Sequence, residues 1–133
     1  NVIDELWKKG RYIEDGFNSV IDKYLIRKNM SLAGYPVRLM VNSHDDNGVH
    51  DPKLATLYQQ EMFKHGILCF SGVLMLSYSH SEKDLGLLID AFDKTCKVIK
   101  EYLESGKSID SFLRGILGAP VFKGLRERNA VSN

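Results

Sequence analysis

The sequence predicts an α+β domain with a three-stranded, mainly antiparallel sheet and helices packed on one of its faces. Apolar residues recur every three or four positions in three long segments, which is typical of amphipathic helices. Between these segments lie short apolar runs bounded by glycine, serine and proline, a pattern that favours strands. The strands do not alternate regularly with the helices, so a layer of helices on one side of a small sheet is expected.

Size and charge narrow the class of protein further. The chain has 133 residues, enough for one domain with its own core, and it is 44% hydrophobic with a formal net charge of +1. A nucleic-acid-binding surface usually brings clustered basic residues and a high pI, so we expect no nucleic-acid partner. No apolar run is long enough to span a bilayer and no signal-peptide pattern is visible, so we expect a cytoplasmic protein without a membrane partner.

The first predicted helix covers residues 3–28. Gly10 and Gly16 each weaken a helix by about 1 kcal/mol relative to alanine, so packing against the sheet has to offset them. The apolar positions of this segment share one face of the helix: Leu6, Ile13, Phe17, Val20, Tyr24 and Leu25.

A predicted connection over residues 29–34 leads to the first predicted strand, which Pro36 introduces. Alternation along this strand places Val37, Leu39 and Val41 on one face, and Arg38 and Met40 on the other.

Residues 44–51 hold two histidines and three aspartates, the richest cluster of potential metal ligands in the sequence. Its Asp-Asn-Gly sequence resembles the middle of an EF-hand loop, but Ser43 and Leu54 stand where calcium needs acidic oxygens. We therefore favour a polar surface loop in which the Asn-Gly pair makes a turn and Asp51 caps the next helix. Metal binding at this loop is the alternative.

The second predicted helix begins at Asp51-Pro52, a capping carboxylate followed by proline at the first helical position, and ends at Gly66. Two short strands are predicted after it, over residues 67–70 and 73–78. The Ser-Gly pair between them makes the turn.

The longest predicted helix runs from Glu82 to about Ser105. Ser81 and Asp84 have the capping-box spacing at its start, and Gly106 ends it. Its apolar stripe consists of Leu85, Leu88, Phe92, Cys96, Ile99 and Leu103. A weaker helix is predicted over residues 109–117, so we place a domain at residues 1–106 and a C-terminal helical extension and tail at 107–133.

No motif with its own chemistry is present. The sequence contains no glycine-rich phosphate loop, nucleophile elbow or zinc signature. Cys69 and Cys96 lie in apolar segments and are expected to be reduced core residues. We favour structural roles for His65 at a helix end and for His80 before a cap, with catalysis as the alternative for His80. The residues alone therefore predict a small domain without a self-contained active site.

The order of these elements carries a resemblance to a known family. The segments EMFKHGIL (residues 61–68), LSYSHSEKDL (76–85) and IDAFDKTCK (89–97) resemble the C-terminal small domain of class III pyridoxal-phosphate-dependent aminotransferases, most closely glutamate-1-semialdehyde aminomutase and its relatives. The likeness covers roughly residues 1–105. The turn at residues 70–72 is shorter than the corresponding loop of the aminomutase, so a sugar-modifying or other class III relative fits equally well.

This resemblance implies the small domain of a fold-type I aminotransferase, with pyridoxal phosphate as the cofactor of the parent protein. The catalytic lysine and the cofactor-binding residues of the family lie in a large domain, so no catalytic, cofactor-binding or metal-binding residue is expected in this chain. The small domain is expected to pack on that large domain in a homodimer and to help close the active site. Phe70, Ser71 and Gly72 are the candidates for lining its mouth.

Two further expectations accompany this interpretation. The chain begins in the approach to a helix without a methionine and ends in a polar tail, which suggests a piece of a larger protein. The alternative function, from a different class, is a free-standing α+β module that binds a partner or a small ligand and has no enzymatic activity.

Overall fold

The computed structural model describes residues 1–69, 72–75 and 80–114, and it has the predicted α+β class. Helices and strands alternate irregularly along the chain, and the strands pair antiparallel. The elements are α1 (Val2–Tyr24), β1 (Met30–Tyr35), β2 (Arg38–Ser43), α2 (Pro52–Lys64), β3 (Val73–Met75), α3 (Glu82–Ser105) and a 3-10 helix (Ile109–Ser111).

The strands are not the set that the sequence predicted. The sheet has the order β1-β2-β3. The strand β1 lies where a connection was predicted, because Ser31, Ala33 and Gly34 have little strand propensity of their own and β1 gains its order by pairing with β2 over six residues. The predicted strand over 67–70 is wrong for its described part, since residues 67–69 are irregular. Of the strand predicted over 73–78, residues 73–75 form β3, and 76–79 lie outside the described residues.

The helices cover one face of the sheet, as predicted. In β2, Leu39 and Val41 are buried, whereas Arg38 and Met40 are exposed. Val37, predicted in this strand, lies in the turn before it, because β2 begins at Arg38. Antiparallel sheets commonly bury one face and leave the other to solvent. The buried face of this sheet therefore points toward the helices, which pack on one another above it.

An aromatic cluster joins the three helices in the core. The rings of Phe17 in α1 and Phe92 in α3 are stacked with their centroids 3.8 Å apart, and Tyr58 of α2 meets Phe92 edge-on at 6.1 Å. All three side chains are at most 1% exposed. Aromatic pairs add about 0.5–1.5 kcal/mol to the gain from burial alone, so these ring contacts stabilise the packing of the three helices.

The apolar stripe predicted for α1 is buried in the middle of the helix but not at its C-terminal end. Ile13, Phe17 and Val20 are buried, but Leu25 is 81% exposed. The helix stops at Tyr24 instead of 28, and Leu25 takes the left-handed conformation that closes it, with φ 56°. This change in backbone direction turns the Leu25 side chain away from the core.

The boundaries predicted for α2 and α3 are confirmed. The Asp51 side chain accepts hydrogen bonds from the backbone N–H groups of the first turn of α2, and Ser81 and Asp84 form the predicted capping box of α3. Gly66 has φ 80° and Gly106 has φ 66°, the left-handed conformation that closes a helix. Local side-chain chemistry thus determines where both helices begin and end.

After α3 the chain forms only a three-residue 3-10 helix within the range predicted as helix, and residues from 115 onward lie outside the described part. Both cysteines are unpaired and buried, as predicted. None of the helices in the described residues combines the length and the apolar character that crossing a bilayer requires.

Candidate functional site

The segment between α2 and α3 contains the residues predicted to line an active-site mouth. Gly72 is the one of the three that the structure describes; Phe70 and Ser71 lie outside the described residues. Gly72 is buried with φ 78°, and its carbonyl oxygen accepts a hydrogen bond of 2.9 Å from the backbone N–H of Val41. A Cβ atom at Gly72 would stand 2.4 Å from the Val41 carbonyl oxygen, so only glycine fits here.

The start of the segment is held by α2. Backbone hydrogen bonds from Gly66 to Phe63 and from Ile67 to Met62 form a Schellman motif that reverses the chain at the helix end. Cys69 then lies buried with its Sγ 3.6 Å from the hydroxyl of Tyr58. The described residues on both sides of the predicted mouth are therefore held by contacts with α2 and β2.

The buried Cys69 and Cys96 thiols and the buried Tyr58 hydroxyl do not take part in acid–base chemistry near neutral pH. Burial raises the pKa of the Cys69 thiol, which the hydrogen bond to Tyr58 lowers to a smaller extent. It also raises the pKa of Tyr58 well above its ordinary value. Cys96 is fully buried, and burial raises the pKa of its thiol too. A nucleophilic cysteine needs the opposite shift, so both thiols are core residues.

The end of the segment is tied to α1. The ammonium group of Lys9 donates a hydrogen bond of 2.6 Å to the carbonyl oxygen of His80. The next residue, Ser81, begins the capping box of α3. His80 is thus placed at the junction between the segment and α3, as predicted, and its backbone connects the first helix with the last.

The loop over residues 44–51 has the structure of the surface loop that we favoured. A bridge between His44 and His50 closes it, and Gly48 has the positive φ of a turn. The Asp45 carboxylate accepts hydrogen bonds of 2.9 Å from two backbone N–H groups of the loop. Asp51 caps α2. These two carboxylates serve the local backbone, and no group of three potential metal ligands occurs within the part of the chain that the structure describes.

The described residues also do not fit a pyridoxal phosphate site. Every lysine among them is exposed or half-buried, whereas a cofactor-linked lysine would stand in a closed pocket. The sequence has no glycine-rich loop to hold a phosphate. No step of cofactor chemistry is therefore assigned to a residue of this chain.

Sequence reasoning missed two tertiary contacts around the segment. The contact of Lys9 with His80 joins residues 71 positions apart. Gln60 of α2 bonds to the backbone at Phe112 and Arg114. Neither contact has a local sequence signal. The sequence around a surface lysine or a helical glutamine does not differ according to whether its side chain has a distant partner.

Comparisons with known proteins agree with this fold. No family model matches the chain, and no curated protein is significantly similar to it in sequence. Among solved structures, an omega-transaminase from Sphaerobacter thermophilus is 16% identical, with a TM-score of 0.62 over 72% of this chain. The FumI protein of Sphingopyxis sp. MTA144, solved in its PLP internal aldimine form, is 14% identical, with a TM-score of 0.66 over 83% of this chain. An S-selective transaminase from Arthrobacter sp. is 18% identical, with a TM-score of 0.60 over 80% of this chain.

These similarities define the fold as that of part of a transaminase. The matched part of this chain corresponds to 24%, 26% and 26% of the three solved chains. The chain therefore spans about a quarter of the length of the transaminases that it resembles. At this identity the likeness concerns the fold and not the activity.

Proposed function

We propose that this chain is the C-terminal small domain of a pyridoxal-phosphate-dependent aminotransferase of class III. Its function is to help close the active site and select the substrate, while catalysis and cofactor binding belong to a large domain outside this sequence. The observation that carries the proposal is the match of 72–83% of this chain to about a quarter of much longer transaminases. The ordered resemblance of residues 61–97 to the class III family, including glutamate-1-semialdehyde aminomutase, supports it independently.

The role of this chain in the proposed enzyme is to position a wall of the active site. The hydrogen bond between Gly72 and Val41 holds the segment on the edge of the sheet, and α2 holds its beginning. In the sequence, Phe70 and Ser71 lie between these two anchors. We therefore propose that they line the mouth of the active site. When bound in the large domain, pyridoxal phosphate supplies the electron sink for amino-group transfer. The parent protein, made of both domains, is proposed to be a homodimer in the cytoplasm.

The cofactor assignment is tested on two proteins in parallel, the 133-residue chain and the full-length product of the gene that encodes it. The full-length protein should show the absorbance of bound pyridoxal phosphate and transfer an amino group from an amino donor to a carbonyl acceptor. The 133-residue chain should do neither. Cofactor absorbance in the short chain, with a Schiff base that borohydride reduces to a permanently attached cofactor, would contradict the proposal. A gene whose start codon directly precedes Asn1 would support a free-standing module instead.

The mouth assignment is tested by substrate kinetics in the full-length enzyme. Phe70→Ala and Ser71→Ala should change kcat/KM for the carbonyl acceptor and leave cofactor absorbance intact. Tyr12→Ala is the control, because Tyr12 is an exposed aromatic residue on α1. The kcat/KM values are measured over a series of acceptors. If their relative values are the same in all three variants, Phe70 and Ser71 do not line the mouth.

A further inference from the structure

Residues 107–114, which we name the strap, follow α3 and fold back along the helices. Ile109 is 3% exposed and belongs to the hydrophobic core. The ring of Phe112 meets Tyr102 of α3 edge-on, with the centroids 5.5 Å apart. Phe112 and Leu113 are also partly buried against the core, and the other residues around Ile109 are exposed. The strap is therefore anchored by a small number of apolar contacts, unlike the helices beneath it.

A single side chain of α2 holds the backbone of the strap. The side-chain amide of Gln60 donates a hydrogen bond of 2.8 Å from Nε2 to the carbonyl oxygen of Phe112. Its Oε1 accepts a hydrogen bond of 2.6 Å from the backbone N–H of Arg114. Gln60 thus binds a carbonyl and an N–H two residues apart, as a neighbouring strand would.

Glu61 determines the orientation of this amide. The carboxylate of Glu61 is 3% exposed, pairs with Lys64 at 3.1 Å and accepts a hydrogen bond of 3.1 Å from Gln60 Nε2. Rotating the amide by half a turn would place its oxygen against two acceptors, the carboxylate and the Phe112 carbonyl, and its NH₂ group against the Arg114 N–H. The network therefore allows one orientation, which is the one that grips the strap.

We propose that Gln60 is a latch that holds the strap on α2, and that the strap opens and closes as a unit while the sheet and the three long helices stay folded. The hydrogen bonds inside the strap are local, from the N–H groups of Phe112 and Leu113 to the carbonyl oxygen of Ile109. Opening breaks the two bonds to Gln60 and withdraws Ile109, Phe112 and Leu113, but it disturbs no strand pair. Segments with few buried contacts open independently of global unfolding.

Native-state hydrogen exchange on the 133-residue chain tests the latch. In the wild type, the amides of Phe112 and Leu113 should exchange faster than that of Ile99 in the core of α3, through an opening that is insensitive to low denaturant. Gln60→Ala should accelerate exchange at Phe112 and Leu113 about tenfold, the effect of about 1.4 kcal/mol, and leave Ile99 unchanged. Neither reporter amide bonds to Gln60, so their acceleration reports movement of the strap and not the loss of their own partner.

Two variants sharpen the test. Gln59→Ala removes a neighbouring glutamine that makes no hydrogen bond to the described strap and should leave exchange unchanged. Gln60→Glu keeps an acceptor for Arg114 but loses the donor to Phe112 and brings a second carboxylate beside Glu61, so it should accelerate exchange at least as much as Gln60→Ala. Equal exchange in Gln60→Ala and Gln59→Ala would overturn the latch. Acceleration of Ile99 in parallel with the strap would overturn its independent opening.

Discussion

A Cβ atom on Gly10 of α1 would lie 2.2 Å from the carbonyl oxygen of Pro36, in the turn between β1 and β2. No carbon atom tolerates that approach, so only glycine lets α1 rest on the hairpin at this point. Gly16 approaches α3 closely too, but there a Cβ would be 2.5 Å from the side-chain atom Cδ1 of Ile89, which can move more easily than a backbone carbonyl. The two glycines that weaken α1 as a helix are therefore its contact points.

We predict that Gly10→Ala lowers the free energy of unfolding by about 1–2 kcal/mol. Overpacking against a backbone carbonyl outweighs the gain of about 1 kcal/mol in helix propensity. Gly86 in α3 is the matched control, since nothing lies within 4 Å of a Cβ atom there. Gly86→Ala should therefore raise the free energy of unfolding by about 1 kcal/mol. Urea midpoints measure both, and a Gly10→Ala protein as stable as the wild type would contradict the close contact.

Leu25 offers a stabilising substitution. It is the only non-glycine residue in the described part of the chain with a positive φ, and its side chain is largely exposed. A left-handed conformation costs a residue with a Cβ atom about 1–2 kcal/mol, so Leu25→Gly should raise the urea midpoint by the equivalent of about 1 kcal/mol. Leu25→Ala keeps the Cβ atom and should bring no such gain. If alanine stabilises as much as glycine, backbone strain is not the reason.

Asp93 of α3 makes stability depend on pH. Burial acts to raise the pKa of its carboxyl group, but hydrogen bonds from the Tyr24 hydroxyl and the Lys23 ammonium together outweigh burial and hold that pKa below its ordinary value. A lowered folded-state pKa contributes stability above the unfolded-state value of about 3.9, and this contribution is lost as the pH falls through the folded-state pKa. Asp93→Asn should therefore destabilise the protein at pH ~7 and cost little at pH ~2, where the wild-type carboxyl group is protonated.

Asp90→Asn is the control for this pH dependence. Asp90 lies on the same helix and pairs with Lys94 at 2.9 Å, but its side chain is 59% exposed. Exposed pairs contribute little, so this variant should shift the urea midpoint less than Asp93→Asn at neutral pH. Identical pH profiles for the two variants would show that the contact between α1 and α3 at Asp93 adds nothing.

The two thiols should be unreactive in the folded protein. Cys96 is 0% exposed and Cys69 is 7% exposed, and burial raises the pKa of both thiols. Because the thiolate is the reacting form, a thiol-specific reagent at neutral pH should modify neither cysteine until denaturant unfolds the chain. Rapid labelling of Cys69 in native protein, with Cys96 protected, would place Cys69 in a more open environment than the structure shows. Cys69→Ser identifies which thiol has reacted.

The limits of the sequence prediction follow from the range of the interactions involved. The ends of α2 and α3 were predicted because Asp51, Ser81, Gly66 and Gly106 act on backbone groups within a few positions of themselves. The strand β1 was missed because its order depends on pairing with β2. The apolar run at residues 67–69 was mistaken for a strand, because a buried irregular segment is as apolar as a buried strand.

The candidate site shows the same division. The sequence by itself determined the α+β class, the ends of two helices, the burial of both cysteines and the likeness to part of an aminotransferase. Only the tertiary structure decided that Gly72 fits against Val41, that Lys9 reaches His80 and that Gln60 holds the strap. Each of these contacts joins residues that are far apart in the sequence. The nearest pair, Val41 and Gly72, is 31 positions apart. Their geometry depends on how the helices and the sheet pack, which no local pattern encodes.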